Sequence, residues 1–161
     1  MLERLTRAHA PALLDFEREN RAYFAAAVTD RGDDYFAHFT DRHEALLSEQ
    51  ATGACHFHVV VVDGEILGRV NLVDVADGTA ELGFRMAKKA TGQGLATAAV
   101  RAVSTLAATK YGLTRLRAAA RIDNLGSRTV LTRTGFTPTG EERVLGDKPG
   151  VCYVLDLTTR S

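Results

Sequence analysis

The sequence predicts an α/β fold: a single domain over 1–161 in which helices flank a mixed, largely antiparallel sheet of about six to seven strands. Three observations carry this expectation. The chain has 161 residues, 45% apolar and 25% charged, which is material for one sizeable core and no second. Apolar residues recur at helical spacing in three stretches, the longest from Leu95 to Tyr111. Between and after these stretches lie β-rich segments set off by turn pairs such as Asp63-Gly64 and Asp77-Gly78.

The elements follow in order. Leu2 to Leu5 reads as a short opening strand, and Thr6 caps a helix from Ala8 to Glu19, with Pro11 tolerated in its first turn. Asp30-Arg31-Gly32-Asp33-Asp34 reads as a loop. Phe36, Phe39, His43, Leu46 and Leu47 then repeat at helical intervals until Gly53. His56 to Val62 and Glu65 to Val73 form a hairpin around Asp63-Gly64. Thr79 to Met86 alternates Ala80, Leu82, Phe84 and Met86 against Glu81, Gly83 and Arg85, the pattern of a strand with one buried face. The central helix ends at Gly112. A strand from Arg115 to Ala120 leads to a short helix near Ser127 to Arg133, closed by Gly135. Phe136 to Arg143 and Val151 to Leu157 are two last strands, joined by a loop at Gly146-Asp147-Lys148-Pro149-Gly150.

Twenty basic and twenty acidic residues balance, so no global field gathers nucleic acid or an anionic membrane, and any anion site must be local. Arg115, Arg117, Arg121, Arg128 and Arg133 lack the aromatic platform and basic surplus of a nucleic-acid reader. The apolar run at Val59 to Val62 is too short to span a bilayer, and the first residues lead straight into charged sequence, so a cytoplasmic protein is expected. Cys55 and Cys152 lack metal-type spacing and read as reduced, small apolar residues. His56 and His58 share a strand face without a third ligand at fitting spacing, so they read as structural and no metal is expected. An edge strand at Phe57 to Val62 or at the C-terminus could pair with a second copy, giving a homodimer.

The segment Thr91-Gly92-Gln93-Gly94-Leu95-Ala96-Thr97 stands between a strand and the start of the longest helix. The first N–H groups of a helix have no intrahelical partner and the helix dipole favours negative charge there. Glycines let a phosphate approach without a Cβ in the way. A Walker loop would need Gly-Lys-Ser/Thr and a dinucleotide fingerprint would need glycine where Thr97 stands, so both are excluded.

Ala80-Glu81-Leu82-Gly83-Phe84 through Gly92-Gln93-Gly94-Leu95-Ala96-Thr97 resembles the acetyl-CoA-binding motif of GNAT acetyltransferases, Gln/Arg-x-x-Gly-x-Gly/Ala, with Thr91 replacing the first residue. Asn124-Leu125-Gly126-Ser127, Val130-Leu131 and Gly135-Phe136 are similar to a second block of that superfamily. With Glu19-Asn20-Arg21, the resemblance points to the branch of ribosomal-protein N-terminal-alanine acetyltransferases and their relatives. It implies acetyl-CoA as co-substrate, an amine acceptor such as a protein N-terminus or a small amine, and a splayed strand pair whose backbone at Phe84 and Met86 meets the pantetheine arm and thioester. The pyrophosphate would rest on the turn from Thr91 through Gly92, Gln93, Gly94, Leu95 and Ala96 to Thr97, with Lys88 and Lys89 near the nucleotide phosphates or simply solvated.

The chemical roles keep alternatives open. Glu81 is the candidate acceptor of the amine's proton, or else a partner of Arg69, Arg85 or Arg117. Ser127 and Asn124 are candidates at the coenzyme or helix caps, and Ser127 would serve the departing thiolate. Tyr153 is the reserve proton donor, as a phenol is the better acid, or a packing residue. The helices between Arg18 and Gln50 and the Leu145 to Val151 loop would line the acceptor side, where Asp30, Asp33, Asp34, Tyr23, Phe24 and Tyr35 could suit a cationic amine. A non-catalytic acyl-CoA-binding sensor or scaffold would need only the phosphate turn.

Overall fold

The computed structural model describes residues 1–92 and 94–158. A 7-stranded sheet in the order β1-β2-β3-β4-β5-β7-β6 forms its centre. The strands are β1 (Leu2–Arg4), β2 (His56–Val62), β3 (Glu65–Ala76), β4 (Thr79–Met86), β5 (Arg115–Arg121), β6 (Thr137–Leu145) and β7 (Lys148–Asp156). The helices are α1 (Ala10–Glu19), α2 (Arg21–Ala25), α3 (Asp33–Ala37), α4 (Phe39–Ala51), α5 (Leu95–Thr109) and α6 (Leu125–Arg133). The mixed α/β sheet expected from the sequence is therefore present. None of the described helices is long and apolar enough to cross a membrane.

Local chemistry sets the hairpins. Asp63 and Gly64 have φ of 52° and 78°, and Asp77 and Gly78 have 52° and 77°. Positive φ at both central residues matches the twist of the flanking strands, and aspartate and glycine tolerate it. Strand β3 runs on to Ala76, past the expected end at Val73, through a register shift that leaves Asp74 at φ 54°. The loop expected from Gly146 to Gly150 is instead a two-residue turn, because Leu145 pairs with Lys148 and Gly146 supplies a φ of 66°. No Leu145 to Val151 loop is therefore left to line an acceptor site.

The N-terminal half departs further from expectation. Arg7–His9 forms a 3-10 turn before α1, with Thr6 in a reciprocal capping arrangement with His9. Buried Asn20 separates α1 from α2, its Nδ2 donating to the Phe16 carbonyl at 2.9 Å and its Oδ1 accepting from the Lys88 N–H at 2.9 Å. Asp33 and Asp34, expected in a loop, open α3. The helical stripe read from Phe36 to Leu47 is broken at His38, which ends α3 and caps α4. Strand β2 is not an edge, since Leu2 to Arg4 pairs with Val60 to His58. The sheet edges are β1 and β6, so neither Phe57 to Val62 nor the last strand offers a free edge for a second copy.

Both sheet faces are covered. Leu82, Val70, Leu116 and Tyr153 are buried along with Val100, Val103 and Ala107 of α5 on one side, while Leu13, Phe16 and Phe39 join the core from the α1–α4 side. Cys55 and Cys152 are free and buried. His56 and His58 are structural, as expected. His56 stacks on Tyr111 with ring centroids 3.7 Å apart, and His58 Nε2 lies 2.7 Å from the Tyr111 hydroxyl.

Burial pushes the His58 pKa down to about 4. The folded state thus keeps it neutral while the unfolded chain binds a proton below about 6.5. The stability it contributes is present above the unfolded pKa and is lost as pH falls from there through 4. Urea titrations at pH 7 and pH 5 should show a loss of about 2 kcal/mol, and His58→Gln should remove most of that slope. An unchanged slope in the variant would rule His58 out as its source.

Candidate active site

Two structural openings meet at one cleft. Strands β4 and β5 form the parallel ladder of the sheet; among the described residues the others are antiparallel. Their pairing runs Thr79↔Arg115, Ala80↔Leu116 and Glu81↔Arg117, and then stops, although β4 continues to Met86 and β5 to Arg121. The strands therefore splay beyond Glu81, leaving facing backbone edges free to bind something other than each other.

The second opening is the start of α5. Gly94 is its N-cap at φ 74°, with no side chain among the described residues capping it, and the first return bond runs from the Ala98 N–H to the Gly94 carbonyl at 3.0 Å. The N–H groups of Leu95, Ala96 and Thr97 precede that ladder and point out of the helix end. Gly92 and Gly94 are exposed, both have positive φ, and a Cβ built on either meets nothing within 4 Å. The glycines thus leave room among the described residues at the start of α5, which is what an approaching phosphate requires.

The cleft joining the openings has a volume of about 670 Å³. It is lined by Phe84 and Met86 of β4, by Thr91, Gly92, Gly94, Leu95, Ala96 and Thr97 at the turn, and by Asn124 and Ser127 at the start of α6. Gln93 lies outside the described residues. Thr91 keeps its hydroxyl on the Lys88 carbonyl at 2.7 Å, so it braces the turn and leaves the anion site to backbone donors.

Asn124 is the cap of α6, its Oδ1 accepting from the Ser127 N–H at 3.2 Å. Ser127 enters the cap through its backbone, which separates capping from any role of its hydroxyl.

Three expected site residues stand outside the lining. Lys89 pairs with Glu65. Tyr153 is buried, and its hydroxyl accepts from Arg128 Nε at 3.1 Å. Glu81 lies where the strands part and is bound by Arg143, Nη1 to Oε1 at 2.5 Å, and not by Arg69, Arg85 or Arg117.

On the acceptor side Tyr23 and Phe24 do line the cleft, while Tyr35 is buried. The acidic residues are spoken for: Asp30 and Asp33 pair with Arg21, and Asp34 with Arg42 and His38. The lining residues that sequence reasoning missed include Ala26, Ala27 and Val28, Arg85, Thr129 and Arg133. Arg85 alternates with Phe84 and Met86, so a reading confined to the buried face of β4 passes over it.

Residues 1–137 match the family model described as the acetyltransferase (GNAT) domain. A probable N-acetyltransferase of Bacillus subtilis (strain 168), YjcK, is 31% identical over 140 residues, covering 81% of this chain and 76% of the relative. Among solved structures, the ribosomal-protein-S5-alanine acetyltransferase of Vibrio fischeri superposes with a TM-score of 0.91 at 18% identity, covering 99% of this chain and 94% of the other. RimJ of Mycobacterium smegmatis, in complex with CoA-disulfide, superposes with a TM-score of 0.87 at 23% identity, covering 96% and 80%.

Proposed function

From the premise that the chain belongs to the GNAT acetyltransferase family, which the match over residues 1–137 establishes, we propose that it transfers acetyl from acetyl-coenzyme A to a primary amine. The observation that carries this reading is the convergence of the parted β4–β5 pair and the open start of α5 on one cleft. The residues fit the co-substrate: the N–H groups of Leu95, Ala96 and Thr97, which have no intrahelical partner, take the pyrophosphate, and the β4 edge at Phe84 and Met86 takes the pantetheine arm. RimJ with its bound CoA-disulfide and this chain share the fold that makes such a cleft.

Acetyl-CoA supplies an activated thioester. The amine nitrogen attacks the carbonyl carbon directly, forming the N–C bond as the C–S bond breaks. Backbone N–H groups of β4 beyond Glu81 stabilise the charge that develops on the thioester oxygen. Glu81, paired with Arg143, accepts the amine's proton through a water. The Ser127 hydroxyl orients the sulfur. The departing thiolate takes its proton from solvent water, since Tyr153 is buried outside the cleft lining with its hydroxyl on Arg128. A protein amino terminus is the first acceptor to try, because the Vibrio fischeri neighbour is named for alanine of a ribosomal protein.

The test is a thermal shift with acetyl-CoA, coenzyme A and NADH, followed by thiol release over peptide and small-amine acceptors. Stabilisation by the first two and not by NADH is the expected result. No stabilisation by acetyl-CoA at about 1 mM would remove the reading. In the same assay Ser127→Ala should lower kcat about tenfold at unchanged melting temperature, because the α6 cap uses only the Ser127 backbone N–H. An unchanged kcat would release the hydroxyl from the mechanism.

A further inference from the structure

On the face of β4 away from α5, the strand presents Glu81, Gly83 and Arg85 in alternation, with Arg85 directly across from Arg69 of β3. Gly83 is exposed, and a Cβ built on it meets nothing within 4 Å, so the floor between Glu81 and Arg85 is open. At about 3.3 Å per residue, the two charged positions stand about 13 Å apart along the strand. Arg85 lines the main cleft, and its guanidinium lies 4.6 Å from the centre of the Phe24 ring, also part of that lining.

The charge around Arg85 is out of balance. Buried Glu17 faces three guanidinium groups: Arg69 at 2.8 Å, Arg31 at 2.9 Å and Arg85 at 3.4 Å. Arg31 and Arg69 occupy the two carboxylate oxygens at good hydrogen-bond distance, and Arg85 holds the longest and weakest share. Asp30, the carboxylate nearest in sequence to Arg31, is bound by Arg21. Burial, reinforced by Arg31 and Arg69, pushes the Arg85 pKa down, as expected of a cation short of counter-charge.

We propose that Arg85 is the specificity-determining residue for a carboxylate on the acceptor: the amine enters over Gly83, and a carboxylate within its first few bonds or residues docks on the Arg85 guanidinium. This deepens the acetyltransfer reading and rests on it. It also reverses the expectation of a cationic acceptor, because the acidic residues behind that expectation are tied to Arg21 and Arg42. A guanidinium with free donors at a cleft recognises a carboxylate through paired, charge-assisted hydrogen bonds. The anion belongs to the acceptor and not to the coenzyme, since Arg85 projects from the opposite face of β4 to Phe84 and Met86.

The experiment measures binding to the wild-type protein saturated with coenzyme A, by calorimetry. Alanyl-aspartyl-alanine amide is compared with its isostere lacking the side-chain charge, alanyl-asparaginyl-alanine amide, and the α-amide of aspartate with the α-amide of asparagine, so that only one member of each pair carries a carboxylate. The carboxylate member of a pair should bind at least about tenfold more tightly, and the preference should fall to near one in Arg85→Gln and return in part in Arg85→Lys. A preference in the peptide pair identifies a protein terminus as the source; one confined to the amino-acid amides identifies a small metabolite.

Equal or weaker binding of the carboxylate member, a preference that survives Arg85→Gln, or no binding of any of the four at about 10 mM overturns the proposal. Each wild-type comparison decides without a variant. Stabilisation by acetyl-CoA, measured separately, distinguishes failure of this inference from failure of the acetyltransfer reading.

Discussion

Gly94→Asp should raise the Kd for acetyl-CoA by at least about 100-fold while leaving the melting temperature of the ligand-free protein within a few degrees. The fold should accept the change for a reason internal to this chain. Gly94 sits at φ 74°, and Asp63, Asp74 and Asp77 already hold positive φ between 52° and 54°. Aspartate is moreover a favoured N-cap residue, and no neighbour lies within 4 Å of the Cβ it would add. Its carboxylate would then accept from the α5 N–H groups that the pyrophosphate needs, and would repel the phosphates that remain nearby.

The loss of two or more charge-assisted hydrogen bonds, at about 1.5–3 kcal/mol each, accounts for the expected weakening. Calorimetric titration with acetyl-CoA and a thermal melt of the free protein are the two measurements. A Kd within threefold of wild type would mean that the coenzyme does not use the start of α5.

The cleft was legible in the sequence where backbone chemistry decides it. Gly92 and Gly94 before a long apolar helix can be read directly, because positive φ and an open helix start follow from residue type and position. The hairpins at Asp63-Gly64 and Asp77-Gly78 were legible for the same reason. What escaped was set by tertiary contacts. Asn20 ends α1 through bonds to Phe16 and to Lys88, the latter 68 residues away, and no local pattern announces that.

The partner of Glu81 was sought on the neighbouring strands. It is Arg143 of β6, a strand at the far edge of the sheet and 62 residues away in sequence. Pro149 and two glycines signal a turn, so the sequence predicts a loop from Gly146 to Gly150 where the strands in fact continue. A proline near a hairpin end on a strand beside the edge costs little when its partner Val144 is exposed.

Glu17→Gln should be the most destabilising of these changes, at about 3–5 kcal/mol by urea denaturation at pH 7. Glu17 is 1% exposed and is the one carboxylate that Arg69, Arg31 and Arg85 share. Arg31 and Arg85 keep side chains 29% and 24% exposed and can turn toward water once it is gone, but the Arg69 side chain is 6% exposed and cannot. An unpaired cation in the core is therefore the source of the loss. Replacing both partners, as in Glu17→Leu with Arg69→Met, should recover a large part of it, since the pair's own desolvation disappears with the charges.

The same carboxylate dictates an acid response. Burial raises its pKa, but the opposing pull of Arg31 and Arg69 is larger in sum, and the folded value lies below the ordinary carboxylate range. The stability Glu17 contributes is therefore complete above the unfolded pKa, near 4.3, and is lost as pH falls through the folded one. That window lies below the His58 transition, so the wild-type protein should lose stability in two steps on acidification, and Glu17→Gln should lack the lower one. A loss smaller than about 1 kcal/mol at pH 7, or a lower step that persists in the variant, would mean that the arginines find another counter-charge and that Glu17 does not organise this side of the cleft.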